Sequence, residues 1–211
     1  VTAYRSVGIA ARQVYTPRWA HCDDNHAWVE VFVDGEWHFL GACEPEEVLD
    51  TGWFSGPANR AILIHTRNFS DYVKESNEEY LGKEGALYYF NHTDFYGRTK
   101  LVKILVKDEN GKPAAGAHIA VEILNMAEFF PAAVMIADAD GEVRMTLGLG
   151  DIRVRAFDGI RRAEAMMRIE EEDSLELVLQ EEAVPSADDT WKTLEIRAPK
   201  EVPVRNVVAT K

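Results

Sequence analysis

Between Arg98 and Gln180, apolar and polar positions alternate in short runs. TKLVKILVKD, AHIAVEIL, AVMIADAD, EVRMTLG, DIRVRAFD, AEAMMRI and SLELVLQ follow one another with a period of two, which sends successive side chains to opposite faces of a strand. ENGKP, ADADGE, GLGD and FDG separate most of these runs. Short strands at this spacing, divided by turn formers, predict an all-β sandwich of about seven strands.

Before Arg98 the rhythm is less regular. VTAYRSVG predicts the last turns of a helix ending at Gly8, and IAARQVY a short strand closed by Thr16-Pro17. HAWVEVFV and EWHFLGA flank Asp34-Gly35, a strong signal for a β-hairpin. EPEEVLDTGWFSGPANR predicts a loop with one helical turn, and AILIHT a short apolar strand. Residues 68–85 are polar and predict a surface excursion, after which ALYYFNHTDFYG is extended again. From Glu181 the pattern weakens into a linker and an extended tail interrupted by Pro199 and Pro203. The expected division is 1–97, an α+β part that is mostly strand, then a sandwich over 98–180, then a linker and tail over 181–211. The whole is β-dominated.

A two-residue turn at Asp34-Gly35 fixes the hairpin's register. Val33 faces Glu36, and continuing the ladder sets Trp28 opposite Gly41 and His26 opposite Cys43. Alternation then places His26, Trp28, Glu30 and Phe32 on one face with Trp37, Phe39, Gly41 and Cys43. An imidazole and a thiol would meet at the open end of the hairpin. Asp24 shares the parity of His26 and is a candidate to orient its ring. Trp28 and Trp37 are expected as core aromatics, and Glu30 as solvated or salt-bridged.

SVGIAAR followed by DDNHAWVEVFVDGEWHFL resembles the second half of the transglutaminase-like (papain-type) catalytic core, over roughly Ser6 to Glu46. The resemblance implies that His26 is the catalytic base. It also implies a nucleophilic Cys on a helix upstream of the GIAAR strand, and an orienting Asp four residues after the hairpin Trp. That last position is Gly41 here, and Ala10 replaces the usual Pro. The implied chemistry is thiol-dependent acyl transfer on amide bonds of a protein or peptide. A chain without the thiol is expected to be inactive, and Cys43 would need a new geometry to replace it. LVKILVKDENGKPAAGAHIAVEI with ADADGEVRMTLGLGDIRVRAF resembles the transthyretin-like, carboxypeptidase-regulatory sandwich over Lys100 to about Gln180. Such modules accompany enzymes as accessory or adhesive parts, so the resemblance also admits a non-catalytic binding protein.

Composition narrows the partners. The 211 residues carry a net charge of −13, which disfavours nucleic acid and anionic membrane surfaces. No apolar run approaches the ~20 residues of a spanning helix. The spacing in HCDDNH fits no standard zinc pattern, and no cofactor is expected. Two cysteines are too few to fix a redox compartment. No signal peptide is visible in the chain, and the two resemblances together imply a bacterial protein that is periplasmic or extracellular at full length.

Overall fold

A computed structural model describes residues 1–69, 78–181 and 193–202. The first part begins with α1 (Thr2–Ser6), which stops before Gly8 at φ 85°, a backbone conformation glycine adopts without strain. It continues through β1 (Ala11–Thr16), β2 (His26–Val33), β3 (Glu36–Leu40), α2 (Ser55–Asn59), β4 (His65–Phe69), β5 (Glu79–Glu84), β6 (Leu87–Asn91) and α3 (Thr93–Tyr96). The six strands form one antiparallel sheet in the order β3-β2-β1-β4-β6-β5.

Asp34 and Gly35 both have positive φ, at 53° and 91°, so the β2–β3 connection twists in the sense that two-residue hairpins favour. The ladder runs in the expected register from Val33↔Glu36 to Val29↔Leu40 and ends there. The pairs Trp28–Gly41 and His26–Cys43 do not form. The outer edge of β3 is closed by Asp50: its Oδ1 accepts the Phe39 N–H at 2.9 Å, its own N–H donates to Phe39 O at 2.9 Å, and its Oδ2 meets His38 Nδ1 at 2.6 Å. Such closure protects an edge strand from pairing with another chain.

Two segments differ from expectation. The strand drawn over AILIHT starts only at His65: residues 61–64 are all buried, Ile62 and Leu63 in the sandwich core and Ala61 and Ile64 in the aromatic cluster of the first part. Within the polar stretch 68–85, Glu79–Glu84 form edge strand β5, while 70–77 lie outside the described residues. Leu81 gives that strand one buried anchor, too little for a visible period.

The second part holds β7 (Thr99–Lys107), β8 (His118–Asn125), β9 (Glu128–Ile136), β10 (Glu142–Gly148), β11 (Asp151–Phe157), β12 (Arg161–Arg168), β13 (Ser174–Val178) and the two-residue β14 (Gln180–Glu181). Sheets β10-β7-β13 and β14-β12-β11-β8-β9 pack face to face around Val102, Ile104, Ile119, Val121, Met145, Leu147, Val154 and Met167. Its turns use one device twice. Asp108 Oδ1 accepts the N–H groups of Asn110 and Lys112, and Asp138 Oδ1 those of Asp140 and Glu142, all at 2.9 Å.

The two parts share a core. Ile62, Leu63 and Leu81 belong to the same buried cluster as the sandwich interior. Asn125 Nδ2 donates to the carbonyls of Trp19 and Cys22 at 2.8 Å, and the Gly148 N–H donates to Ile62 O at 2.9 Å. Residues 193–202 return over this junction: Arg197 and Asp151 are joined through backbone and side chain, and Arg60 Nε donates to Pro199 O.

Candidate functional site

The two halves of the N-terminal motif meet in the sheet. Arg12 of GIAAR lies opposite Glu30 of HAWVEV, and its Nε donates to Glu30 Oε2 at 2.6 Å. Both side chains are buried, Glu30 completely. Arg12 stacks on Trp37 at 4.1 Å and reaches Glu78 Oε1 at 3.1 Å. The other oxygen, Glu30 Oε1, accepts the Tyr96 hydroxyl at 2.5 Å and faces His92 Nε2 at 3.1 Å, while Trp28 Nε1 donates to the Tyr96 hydroxyl at 2.8 Å. Burial alone would raise the Glu30 pKa. The hydrogen bond and charge of His92, the Arg12 guanidinium and the Tyr96 hydroxyl outweigh it and hold the carboxyl below its usual range. Burial and the adjacent Glu30 charge push the Tyr96 hydroxyl well up. The motif's Arg and Glu are thus a structural pair, a role that sequence spacing alone does not reveal.

His26 opens β2 on the same face and is half-buried. Aromatic rings surround it: Trp53 at 4.7 Å, Phe54 at 5.0 Å, Trp28 at 5.8 Å and Trp19 at 6.3 Å between centroids. Trp53 and Phe54 arrive from the turn-rich segment before α2. Burial lowers the imidazole pKa below 6.5, and the charges of Asp24 and Glu44 offset this in part. At neutral pH the ring is therefore uncharged and able to accept a proton.

Asp24 is exposed and caps its own turn, accepting the Asn25 N–H at 2.8 Å. Cys43 is exposed and free, beyond the end of the ladder. Cys22 is also free and exposed, and burial together with Asp24 and Asp23 raises its pKa. No hydrogen bond joins Asp24 or Cys43 to the His26 ring. Gly41 is buried in a tight turn, where an added Cβ would lie 2.5 Å from the Glu44 carbonyl oxygen. This turn returns Glu44 close enough for its charge to act on His26. Glu44 is the residue that sequence reasoning passed over; its signal is the Gly-Ala-Cys-Glu turn directly after the strand. Among the described residues, no three His, Cys, Asp or Glu side chains converge as a metal-ligand set, and no helix is long and apolar enough to cross a membrane.

Comparisons with known proteins agree with the first half of this description. Residues 1–42 match the model of the transglutaminase-like superfamily, which therefore spans α1 and the β1–β3 sheet but stops short of Glu44. No curated protein matches the chain. Among solved structures, a Streptococcal ancillary pilin aligns with TM-score 0.31 and 10% identity over 82% of this chain and 62% of that one. A double mutant of the shaft pilin SpaA from Lactobacillus rhamnosus GG aligns with TM-score 0.33 and 8% identity, over 85% and 86% of the two chains. Likenesses at these scores carry no argument about this chain. It spans less than two thirds of the first pilin's length.

Proposed function

We propose that the sheet β3-β2-β1-β4-β6-β5 is the strand half of a transglutaminase-like core serving thiol-dependent acyl transfer on amide bonds, most simply peptide or amide hydrolysis. His26 is the proton carrier. The observation that carries this reading is the placement of a half-exposed imidazole, its pKa lowered by burial, at the head of β2, with the motif's Arg12–Glu30 pair intact in the same sheet. In the reaction a cysteine thiol outside residues 1–211 gives its proton to His26 and attacks the carbonyl carbon. The amine leaves with that proton, and water or an amine then resolves the thioester. Asp24 and Glu44 are the carboxylates available to favour the imidazolium. The sandwich is a transthyretin-like accessory module, and the setting is the periplasm or cell exterior of a bacterium.

A second reading is a non-catalytic binding protein with a degenerate core. The Gly41 turn supports it, since the position where the superfamily carries an Asp here has no room for a side chain. Assaying hydrolysis and hydroxylamine capture of peptide amides separates the two. The 211-residue chain alone should show no turnover, and a longer form carrying the thiol should be active and lose at least about 100-fold on His26→Gln. An inactive longer form supports the binding reading. Turnover by the 211-residue chain that Cys43→Ala abolishes would make Cys43 the nucleophile and overturn the scheme.

A further inference from the structure

The face of the first sheet opposite Trp28 and Glu30 holds a second constellation, independent of His26. Tyr15 of β1 pairs with His65 of β4, and Arg67 of β4 pairs with Tyr89 of β6, so the four side chains share that face. With β9 of the sandwich they wall a cleft of about 410 Å³, to which Leu81 and Phe130 add apolar surface. That volume lies within the usual range for small-molecule sites.

Two nitrogen atoms of its floor, one on His65 and one on Arg67, are placed but unmatched. His65 is 4% exposed, and its ring is held edge-on between Tyr15 at 5.5 Å and Tyr89 at 5.2 Å. Its Nδ1 is buried and has no hydrogen-bond partner. Arg67, partly exposed, lies over Tyr15 at 4.0 Å with its Nε buried and likewise unpartnered, and it forms no ion pair among the described residues. Among the described residues of a chain of net charge −13, this half-buried guanidinium has no carboxylate, although taking a charged group partly out of water without a partner is costly. Glu84 is the carboxylate in the lining, and it already accepts the Tyr89 hydroxyl at 3.1 Å. Lys83 sits over Tyr88 at 4.8 Å. Burial and the Arg67 charge keep the His65 ring neutral, leaving Arg67 as the positive centre of the floor.

We propose that this cleft binds an organic carboxylate attached to a flat apolar group. The carboxylate pairs with the fork of Arg67, the neutral His65 Nδ1 takes part in a hydrogen bond, and the apolar body lies among Tyr15, Tyr89 and Phe130. Arginine over an aromatic face is pre-organised for such pairing. A free aromatic acid and a peptide chain ending in an aromatic residue carry the same chemistry.

Calorimetric titration tests this with four probes: hydrocinnamate, its neutral amide, the tripeptide Ala-Ala-Phe, and that tripeptide as its C-terminal amide. At least one acid should bind saturably at millimolar concentration and at least about tenfold more tightly than its own amide. The same loss should follow from Arg67→Met. If that variant fails to fold, the comparison of acid with amide on the unaltered chain still decides. Preference for hydrocinnamate points to a free acid, and preference for the tripeptide to a chain terminus. Binding of neither acid, or equal binding of acid and amide, overturns the proposal.

Discussion

Arg12 and Glu30 face each other across β1 and β2 and join at 2.6 Å with both side chains buried. This pair links the two parts of the N-terminal motif, and its geometry makes them interdependent. Glu30 accepts from Arg12 and Tyr96 and faces His92, so its charge is met by three side chains, from β1, from α3 and from the residue that caps α3. Removing the charge while keeping the shape, as in Glu30→Gln, leaves the buried Arg12 under-compensated. The expected cost is about 3–5 kcal/mol of stability, read from urea unfolding. A loss below about 1 kcal/mol would mean that Glu78 and Trp37 suffice to hold Arg12.

His65 sets an acid limit on stability. Its pKa falls to about 3 through burial, reinforced by Arg67 and opposed by a hydrogen bond to the Thr66 backbone carbonyl. The unfolded chain takes up that proton near pH 6.5, and the folded chain does not until about pH 3. The stabilisation is therefore complete above 6.5 and is lost as pH falls through that window, by about 1.4 kcal/mol per unit. Between pH 6.5 and 4.5 most carboxylates remain ionised, so this interval isolates the histidines. His65→Gln should flatten the fall of Tm across it. An unchanged slope would assign the acid sensitivity elsewhere.

Much of this architecture was legible in the sequence. The Asp34-Gly35 turn and the register of β2 and β3 followed from turn chemistry and the period of two. So did the strand-rich second part, because alternation between one buried and one solvated face is a strong local signal. Residues 61–64 were opaque for the opposite reason: a segment buried on all sides has no period, and here its partners lie in both parts of the chain. The end of the hairpin was also hidden. Gly41 turns the chain away through a close approach to the Glu44 backbone, an effect that no pairing rule contains. The buried Arg12–Glu30 pair joins two motifs that can be aligned separately without showing contact.

The shared core bears on the expected boundary at 97/98. The segment 98–180 contains both sheets except for Glu181, the last residue of β14, and most of one hydrophobic cluster, which should let it unfold cooperatively when expressed alone. It would also expose the surface that Ile62, Leu63 and Leu81 cover in the whole chain. Its Tm should therefore lie below that of the whole chain, whose unfolding should be a single transition. An aggregated or molten segment would show that 98–180 is not an independent unit. Two separate transitions in the whole chain would show that the junction contributes little.

His26 and Gly41 allow a direct test of how the site departs from the superfamily pattern. Burial lowers the His26 pKa, and Asp24 and Glu44 act against it through charge. Glu44→Gln and Asp24→Asn should each move the imidazole pKa further below 6.5, read as the pH midpoint of its NMR ring signals. A shift with Glu44→Gln alone would name Glu44 as the working carboxylate. Gly41→Asp places an acid where the superfamily has one, but its Cβ would meet the Glu44 carbonyl oxygen at 2.5 Å. The obstacle is backbone, so the turn must open. The expected outcome is a loss of about 1–3 kcal/mol of stability and a lowered His26 pKa, because Glu44 moves away as the turn opens. A Gly41→Asp variant that is as stable as the parent, with the His26 midpoint raised, would show that the hairpin can extend to the superfamily's geometry and that the Gly41 turn is not a fixed feature of the site.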